Sequence, residues 1–469
     1  MKKLLLLLGV TLFLQMPEGK AQITTLLNFN GTNGQNPYGS LIRSGNQLFG
    51  ATILGGANND GVIFSIDTNG NNYKILLSFN GTNGKSSYGS LVRSGAQLFG
   101  MTIQGGTNND GVIFSIDSNG NNYKVLLNFN GVNGNGPAGS LILSGNQLFG
   151  MTYNGGTNND GVIFSIDTNG SAYKKLFTFN GTNGEWPEFG YLTLSGSRLF
   201  GMTSSGGTNN DGVIFSIDSN GSAYKLLLNF NGTDGSSPFG SLSLSGGQLF
   251  GMTHSGGANS DGLIFSIDSN GSAYKDLLDF NVSDGKYPNG GLTISGSKMY
   301  GMTYFGGANS DGLIFSIDSN GVGYTDLLDF NGANGTGPFG NLTLSGSILY
   351  GMTAYGGVNG VGNIFKFKDT NLILSSRLLP APAMAAAIYP NPNNGQFTLS
   401  LNTAGRAQQG VAEVYNALGQ KVFTAPINVS NGGASVNAIS LNNPSAGIYL
   451  YRALAEDGTV LATGKFVVE

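Results

Sequence analysis

The sequence predicts an all-β chain: a seven-bladed β-propeller of four-stranded blades, with its N-terminal strand closing the last blade, followed by a small C-terminal β-sandwich. Three observations carry this. A double glycine returns at Gly55, Gly105, Gly155, Gly206, Gly256, Gly306 and Gly356, a period of about fifty residues that belongs to propeller blades and similar repeat arrays. Each repeat holds four short apolar runs separated by turn chemistry. The array is also cut out of phase with its own unit, opening on an isolated fourth run, TTLLNFN at 24–30, and ending with only the first three, at 340–345, 348–354 and 363–368.

The runs read as strands. In the second copy they are GSLVRS (89–94), QLFGMTI (97–103), GVIFSID (111–117) and YKVLLNFN (123–130). Val112, Phe114 and Ile116 alternate with Ile113 and Ser115, and Tyr123, Val125, Leu127 and Phe129 alternate with Lys124, Leu126 and Asn128, the two-residue period of a strand. Between the runs stand Ser-Gly, Gly-Gly-Thr-Asn-Asn-Asp-Gly and Asp-Ser-Asn-Gly, residues that accept positive φ or pre-form Asx turns. Pairing 24–30 with the last three runs would complete the seventh blade and remove an open sheet edge.

Glycine supplies 78 of 469 residues and charged residues only 10%, so the chain is turn-rich and sparsely charged, yet its regular apolar blocks can offset the entropy of ordering. The formal net charge is −4 with no basic cluster beyond the extreme N-terminus, which argues against nucleic acid as a partner. No cysteine is present, so disulfides, thiolate metal sites and a cysteine nucleophile are excluded. Residues 1–21 pair Lys2 and Lys3 with an apolar run and a Gly19-Lys20-Ala21 ending, the pattern of a cleaved secretory signal. That run is too short for a spanning helix, and no transmembrane segment is expected in the mature protein. The expected organisation is a signal peptide at 1–21, the propeller at 22–369, a linker at 370–387 and the β-sandwich at 388–469.

The repeats resemble the GloVer-type tandem repeats of bacterial surface proteins, through Phe29 to Pro37, Leu48 to Thr52 and Gly55 to Phe64 and their later copies. The tail resembles the type A C-terminal sorting domain of the type IX secretion system of the Bacteroidetes. That likeness is carried by Tyr389, Pro390, Asn391, Pro392, Gly395 and Phe397, by 415–420 including Gly419, by Gly447 and Tyr449, and by Lys465 to Val468 including Val467. The resemblance implies export to the outer-membrane surface or beyond, with the type IX secretion machinery as partner. The residues alone imply a terminal β-module with an exposed last strand.

Candidate chemistry is thin. The single histidine, His254, occupies a slot that varies between copies, which suits a loop position better than a catalytic base. One aspartate per copy in the Gly-Gly-x-Asn-x-Asp-Gly loops, such as Asp60 and Asp110, suits a turn better than calcium, which wants six to eight oxygens. No cofactor, metal site or catalytic residue is assigned. Residues that recur in every copy hold blades together, whereas those that differ can single out a ligand. On that ground Tyr153, Trp186, His254, Tyr304, Phe305 and Tyr355 are the candidate ligand-binding residues, suited to stacking on a sugar face or docking a protein segment. The expected function is a monomeric, exported, surface-displayed or secreted binding module for a glycan or protein. The alternatives are an extracellular polysaccharide-acting enzyme, using Glu185 or Glu188 with a loop aspartate, and a passive envelope scaffold.

Overall fold

A computed structural model of the chain describes residues 22–369, 385–403, 408–416, 421–429, 433–441, 444–455 and 460–469. The expected leader at 1–21, most of the expected linker and Gly419 lie outside the described residues. The chain forms two compact units, Met1–Asn371 and Leu372–Glu469. Every regular element among the described residues is a β-strand.

In the first unit, strands β2 (Ile42–Ser44), β3 (Gln47–Ala51), β4 (Val62–Asp67) and β5 (Lys74–Ser78) pair antiparallel in sequence order. The same four-stranded sheet recurs five more times along the chain. The last repeat instead contributes to a five-stranded sheet in which β1 (Gln22–Asn28) is the outermost member. β1 runs antiparallel to Asn363–Lys368, with Gln22 opposite Lys368 and Asn28 opposite Asn363. The extra strand is Thr336–Pro338, which pairs with an extended Ile348–Tyr355.

One sequence expectation needs correction at the level of single residues. The fourth run does not alternate cleanly, because the register slips so that Ile113 faces Leu127 and Phe114 faces Val125, leaving Leu126 as a β-bulge. The bulge serves the neighbouring sheet: the backbone of its counterpart Leu76 approaches Gly120, where an added Cβ would stand 3.0 Å from the Leu76 carbonyl oxygen. The glycine of Gly-Met-Thr accommodates its own sheet, since Gly100 lies opposite Phe114, whose ring would meet a Cβ there at 2.5 Å.

Neighbouring sheets are joined by a repeated contact. The phenylalanine of Phe-Asn-Gly leaves the outer strand and meets the third-strand phenylalanine of the following sheet edge-on. Phe79–Phe114, at 5.5 Å, is one example, and Phe330–Phe365 reaches the last sheet at 5.4 Å. Phe29, just past β1, makes the same contact with Phe64 of the first sheet at 5.5 Å. Around these pairs aliphatic and methionine side chains close the core; Met101 and Phe99 of the second sheet pack with Leu141, Leu148 and Val162 of the third. Leu41, Leu48 and Val62 pack in the same way with Tyr350, Met352 and Ile364 of the last sheet.

Inside the sheets, glycines at one position of each repeat approach one another. A Cβ on Gly39 would lie 2.7 Å from the Gly89 carbonyl oxygen, one on Gly89 2.1 Å from that of Gly139, and one on Gly139 2.0 Å from that of Gly190. Gly190, Gly240 and Gly290 continue the sequence, and Gly340 returns to Gly39 at 2.6 Å. The next residue of each repeat ties the same sites together: Ser40 N–H donates to Ser90 Oγ, Ser90 N–H to Ser140 Oγ, and Asn341 N–H to Ser40 Oγ.

The second unit has two antiparallel sheets. One orders Ala385–Tyr389, Gln396–Thr403 and Gly433–Ser440; the other orders Lys421–Val429, Gln408–Tyr415, Gly447–Ala455 and Val460–Val468. Phe397, Leu399 and Ile439 of the first share one core with Val414, Tyr451 and Phe466 of the second.

Candidate ligand-binding face

The site begins at these glycines. The residue immediately before each of them is Tyr38, Tyr88, Ala138, Phe189, Phe239, Asn289 or Phe339, so the close backbone approach of successive repeats brings side chains that differ between copies near one another. Tyr38 stacks on Phe339 at 4.6 Å, Phe189 meets Phe339 edge-on at 4.9 Å, and Phe239 meets Phe189 at 5.7 Å. These rings are half-buried.

Four of the six candidate residues join or adjoin this platform. His254 lies between Phe239, at 4.5 Å, and Tyr287, at 4.9 Å. Its Nδ1 is 2.8 Å from Asn289 Oδ1, an acceptor, so this nitrogen carries the ring proton. Burial lowers the His254 pKa, partly opposed by that hydrogen bond, and the ring is therefore neutral at physiological pH. Tyr304 packs on Phe305 at 4.5 Å and on Phe339 at 6.1 Å. Phe305 in turn meets Tyr287 at 6.5 Å and is 40% exposed. The Tyr355 and Tyr38 hydroxyls are 2.7 Å apart. Burial, then the nearby Tyr355, push Tyr304 up to about 12, and burial raises Tyr38 as well, so these two phenols stay protonated.

Trp186 makes its ring contact with the remaining candidate, Tyr153, at 5.6 Å. The fourth repeat carries one residue more than the others, and the extra position between Pro187 and the platform ring Phe189 is Glu188. Burial pushes its carboxyl up to about 6, with the Ser204 hydroxyl acting in the opposite direction. Its charge acts on both Tyr88 and Tyr153. Glu185, also raised by burial and by Asp160, stands on the same loop.

The loop aspartates take part in joining repeats. Asp60 Oδ1 pairs with Lys85 at 3.2 Å, Asp110 Oδ1 accepts from Asn135 and Asp211 Oδ1 from Ser236. Their carbonyls also accept N–H groups of the next loop, as Asp60 does from Ser86. The positive φ of these turns falls on the preceding Asn59 and the following Gly61 rather than on the aspartate. Lys286 lies 5.1 Å over the Tyr287 ring. Among the described residues, no three His, Asp or Glu side chains are grouped to hold a metal ion.

Sequence reasoning missed the platform rings Tyr38, Tyr88, Phe189, Phe239 and Phe339. The available signal was a slot that varies between copies while touching an invariant glycine.

In the second unit, Asn391 and Asn393 bracket the free edge of the final strand. Val467 N–H donates to Asn391 Oδ1 at 2.8 Å, and Asn393 N–H donates to the Val467 carbonyl at 2.9 Å. The last strand is thus partly covered, because the Tyr389-Pro390-Asn391-Pro392 segment supplies the partners its edge would lack. Gly395 holds a positive φ of 94° and donates its N–H to Asn393 Oδ1. Tyr449 stacks on Phe466 at 5.7 Å and donates its hydroxyl to the Ser445 carbonyl. Gly447 pairs with Val468 at the start of its strand, and Lys465 is exposed opposite Leu450.

Comparison with known families gives two matches. The Gloeobacter/Verrucomicrobia repeat model matches residues 9–210 and 189–377, and the secretion system C-terminal sorting domain model matches 387–469. The chain therefore belongs to the Gloeobacter/Verrucomicrobia repeat family and ends in a type IX secretion sorting domain. This domain marks it as handled by the type IX secretion system and exported to the outer-membrane surface or extracellular space. A search of curated proteins gives no match. Among solved structures, it is similar to PorZ, a surface component of the type IX secretion system of Porphyromonas gingivalis. The identity is 13% and the TM-score 0.46, over 94% of this chain and 60% of PorZ. It is also similar to an oligogalacturonate lyase in complex with manganese (12%, TM-score 0.46, 75% of this chain and 94% of that one) and to the Bacteroides ovatus xyloglucan protein GH43B (13%, TM-score 0.32, 95% and 92%).

Proposed function

We propose that the protein is an exported binding module: a seven-bladed propeller over 22–369, closed by its first strand, that presents an aromatic face to a glycan or protein ligand. A linker at 370–387 and a sorting β-sandwich at 388–469 complete the chain. The return of Gly340 to Gly39 and the β1 pairing support closure. One observation carries the binding reading: the side chains that differ from repeat to repeat form a connected set of half-exposed rings. Fixed aromatic surfaces of this kind suit the apolar faces of sugars and the anchoring side chains of proteins, at little cost in side-chain entropy.

The test is a screen of the mature protein against polysaccharide and surface-protein arrays, followed by titration of Tyr304→Ala and Trp186→Ala. Loss of a centrally placed ring should weaken binding about tenfold or more. An absence of hits, or variants that bind like the parent, would overturn the reading. Glu188 favours a second reading, an enzyme acting on polysaccharide, since its raised pKa suits proton transfer near neutral pH. Release of reducing ends or unsaturated products that Glu188→Gln abolishes would support the enzyme.

A further inference from the structure

A small space beside the platform rings carries an arrangement that the aromatic face does not use. Its volume is about 20 Å³, room for one water-sized occupant. Four platform rings share in its lining with Asn289 and with the residues that follow the inner glycines. Those residues form a relay in which an N–H donates to the side chain of the next repeat. Ser40 N–H uses Ser90 Oγ, Ser90 N–H uses Ser140 Oγ and Tyr191 N–H uses Ser241 Oγ. Gly291 N–H uses Asn341 Oδ1, and Asn341 N–H uses Ser40 Oγ.

The relay is broken twice. Beyond Ser140 stands Tyr191, whose hydroxyl instead accepts from Asn341 Nδ2 at 3.1 Å. Beyond Ser241 stands Gly291, which has no side chain to offer. Ser140 and Ser241 are only 7% and 3% exposed, yet among the described residues their N–H groups have no acceptor. Buried N–H groups without a partner are rare in native proteins. The other groups left over are donors as well. Ser40, Ser90 and Ser140 accept the relay N–H groups at Oγ, and their own hydroxyl protons have no acceptor among the described residues. The Tyr191 oxygen accepts from Asn341 and Ser241, and its proton likewise has no acceptor there. Asn289, 5% exposed, commits Oδ1 to His254 and keeps both Nδ2 protons unspent. The Asn341 carboxamide oxygen is spent on Gly291. The glycine carbonyls face the Cα of the preceding repeat's glycine, as Gly190 does Gly139, where a Cα–H is their donor. Each of the first six repeats thus supplies a donor, and no carboxylate lines the space to oppose an anion.

We propose that this space binds a single halide ion, held by the Ser140 and Ser241 N–H groups, the hydroxyls of Ser40, Ser90, Ser140 and Tyr191, and the Asn289 amide. A water molecule must donate as well as accept, and the acceptors here are committed elsewhere; a halide only accepts. Converging N–H and O–H dipoles make an anion site without a formal positive charge.

The test uses bromide and chloride. Crystals of the mature protein grown in bromide, measured at the bromine absorption edge, should show an anomalous peak in contact with Ser140 and Asn289. In solution, with ionic strength held constant by gluconate, a site of millimolar affinity raises the melting temperature by about 4 °C between 1 and 100 mM chloride. Ser140→Ala removes a donor and should move the chloride midpoint up about tenfold. Asn289→Asp keeps an acceptor for His254 but sets a carboxylate where the amide donated, and should melt at the same temperature in chloride and in gluconate. The parent crystals decide the matter even where a variant fails to fold. Bromide peaks on the surface only, or an ordered water only at this position, overturn the proposal. So does a parent melting temperature that chloride and gluconate affect alike, or an Asn289→Asp protein with the parent's chloride response. No ligand of the aromatic face enters these measurements, so their failure leaves the proposed function standing.

Discussion

Gly139 sits where the inner strands crowd most closely, and its replacement by alanine gives a worked test of how the repeats are held. Its φ lies outside the left-handed region, so alanine brings no backbone strain and the cost is steric. The new Cβ would stand 2.0 Å from the Gly190 carbonyl oxygen, against a comfortable carbon–oxygen separation of about 3.3 Å. The third and fourth sheets would have to part by roughly 1 Å at this point, where contacts on either side resist. Overpacking of this size costs about 1–3 kcal/mol. In a unit this large about 2 °C of melting temperature is lost per kcal/mol, so calorimetry of the mature protein should record a fall of about 2–6 °C. Gly340→Ala, whose Cβ would meet the Gly39 oxygen at 2.6 Å, should give a smaller fall. Gly139→Ala and Gly139→Val that both melt with the parent would refute the reasoning.

The other expectations concern charge and export. Asp276 and Asp326 are pushed up to about 6 by burial first and by the neighbouring Asp279 and Asp329 second. A carboxyl raised above its unfolded value of about 3.9 holds more protons when folded, so its contribution is full below about pH 4 and lost as pH rises through about 6. The melting temperature of Asp279→Asn/Asp329→Asn should therefore fall less than the parent's between pH 4 and 6.5, and parallel pH profiles would contradict this. Deleting 465–469 removes the strand end that Asn391 and Asn393 hold, and the protein should accumulate in the periplasm. Normal surface display of the deletion would contradict the export reading.

The legible part of the fold was what repetition amplifies. One Phe-Asn-Gly is a weak signal, but its regular return marked the strand endings and the contact between sheets, and the mismatch between the first and last runs located β1 before any pairing was seen. Features that depend on a neighbouring repeat were less legible. The bulge at Leu126 is hidden because an inserted residue leaves hydrophobicity intact while shifting the face, and the cause of the shift, Gly170 and its equivalents, lies in another repeat. Tyr304 and His254 could be singled out because they break the pattern beside the double glycine. Their partners Phe339 and Phe239 stand in a different run, and only the crowding of the inner glycines brings the two sets together. Glu188 was visible as an acidic residue in the one repeat of unequal length, but its placement among the rings depends on that same crowding.

The central claim is that the first strand completes the last sheet, and the absence of cysteine from the chain makes it directly measurable. Thr24 lies opposite Lys366, and opposed residues of antiparallel strands have Cα atoms about 4.5–5.5 Å apart, a span a disulfide bridges without strain. Thr24→Cys/Lys366→Cys, oxidised in the folded mature protein and analysed by mass and by non-reducing electrophoresis, should give a nearly complete intramolecular disulfide in the monomer. Two free thiols, or cross-linked dimers alone, would contradict it.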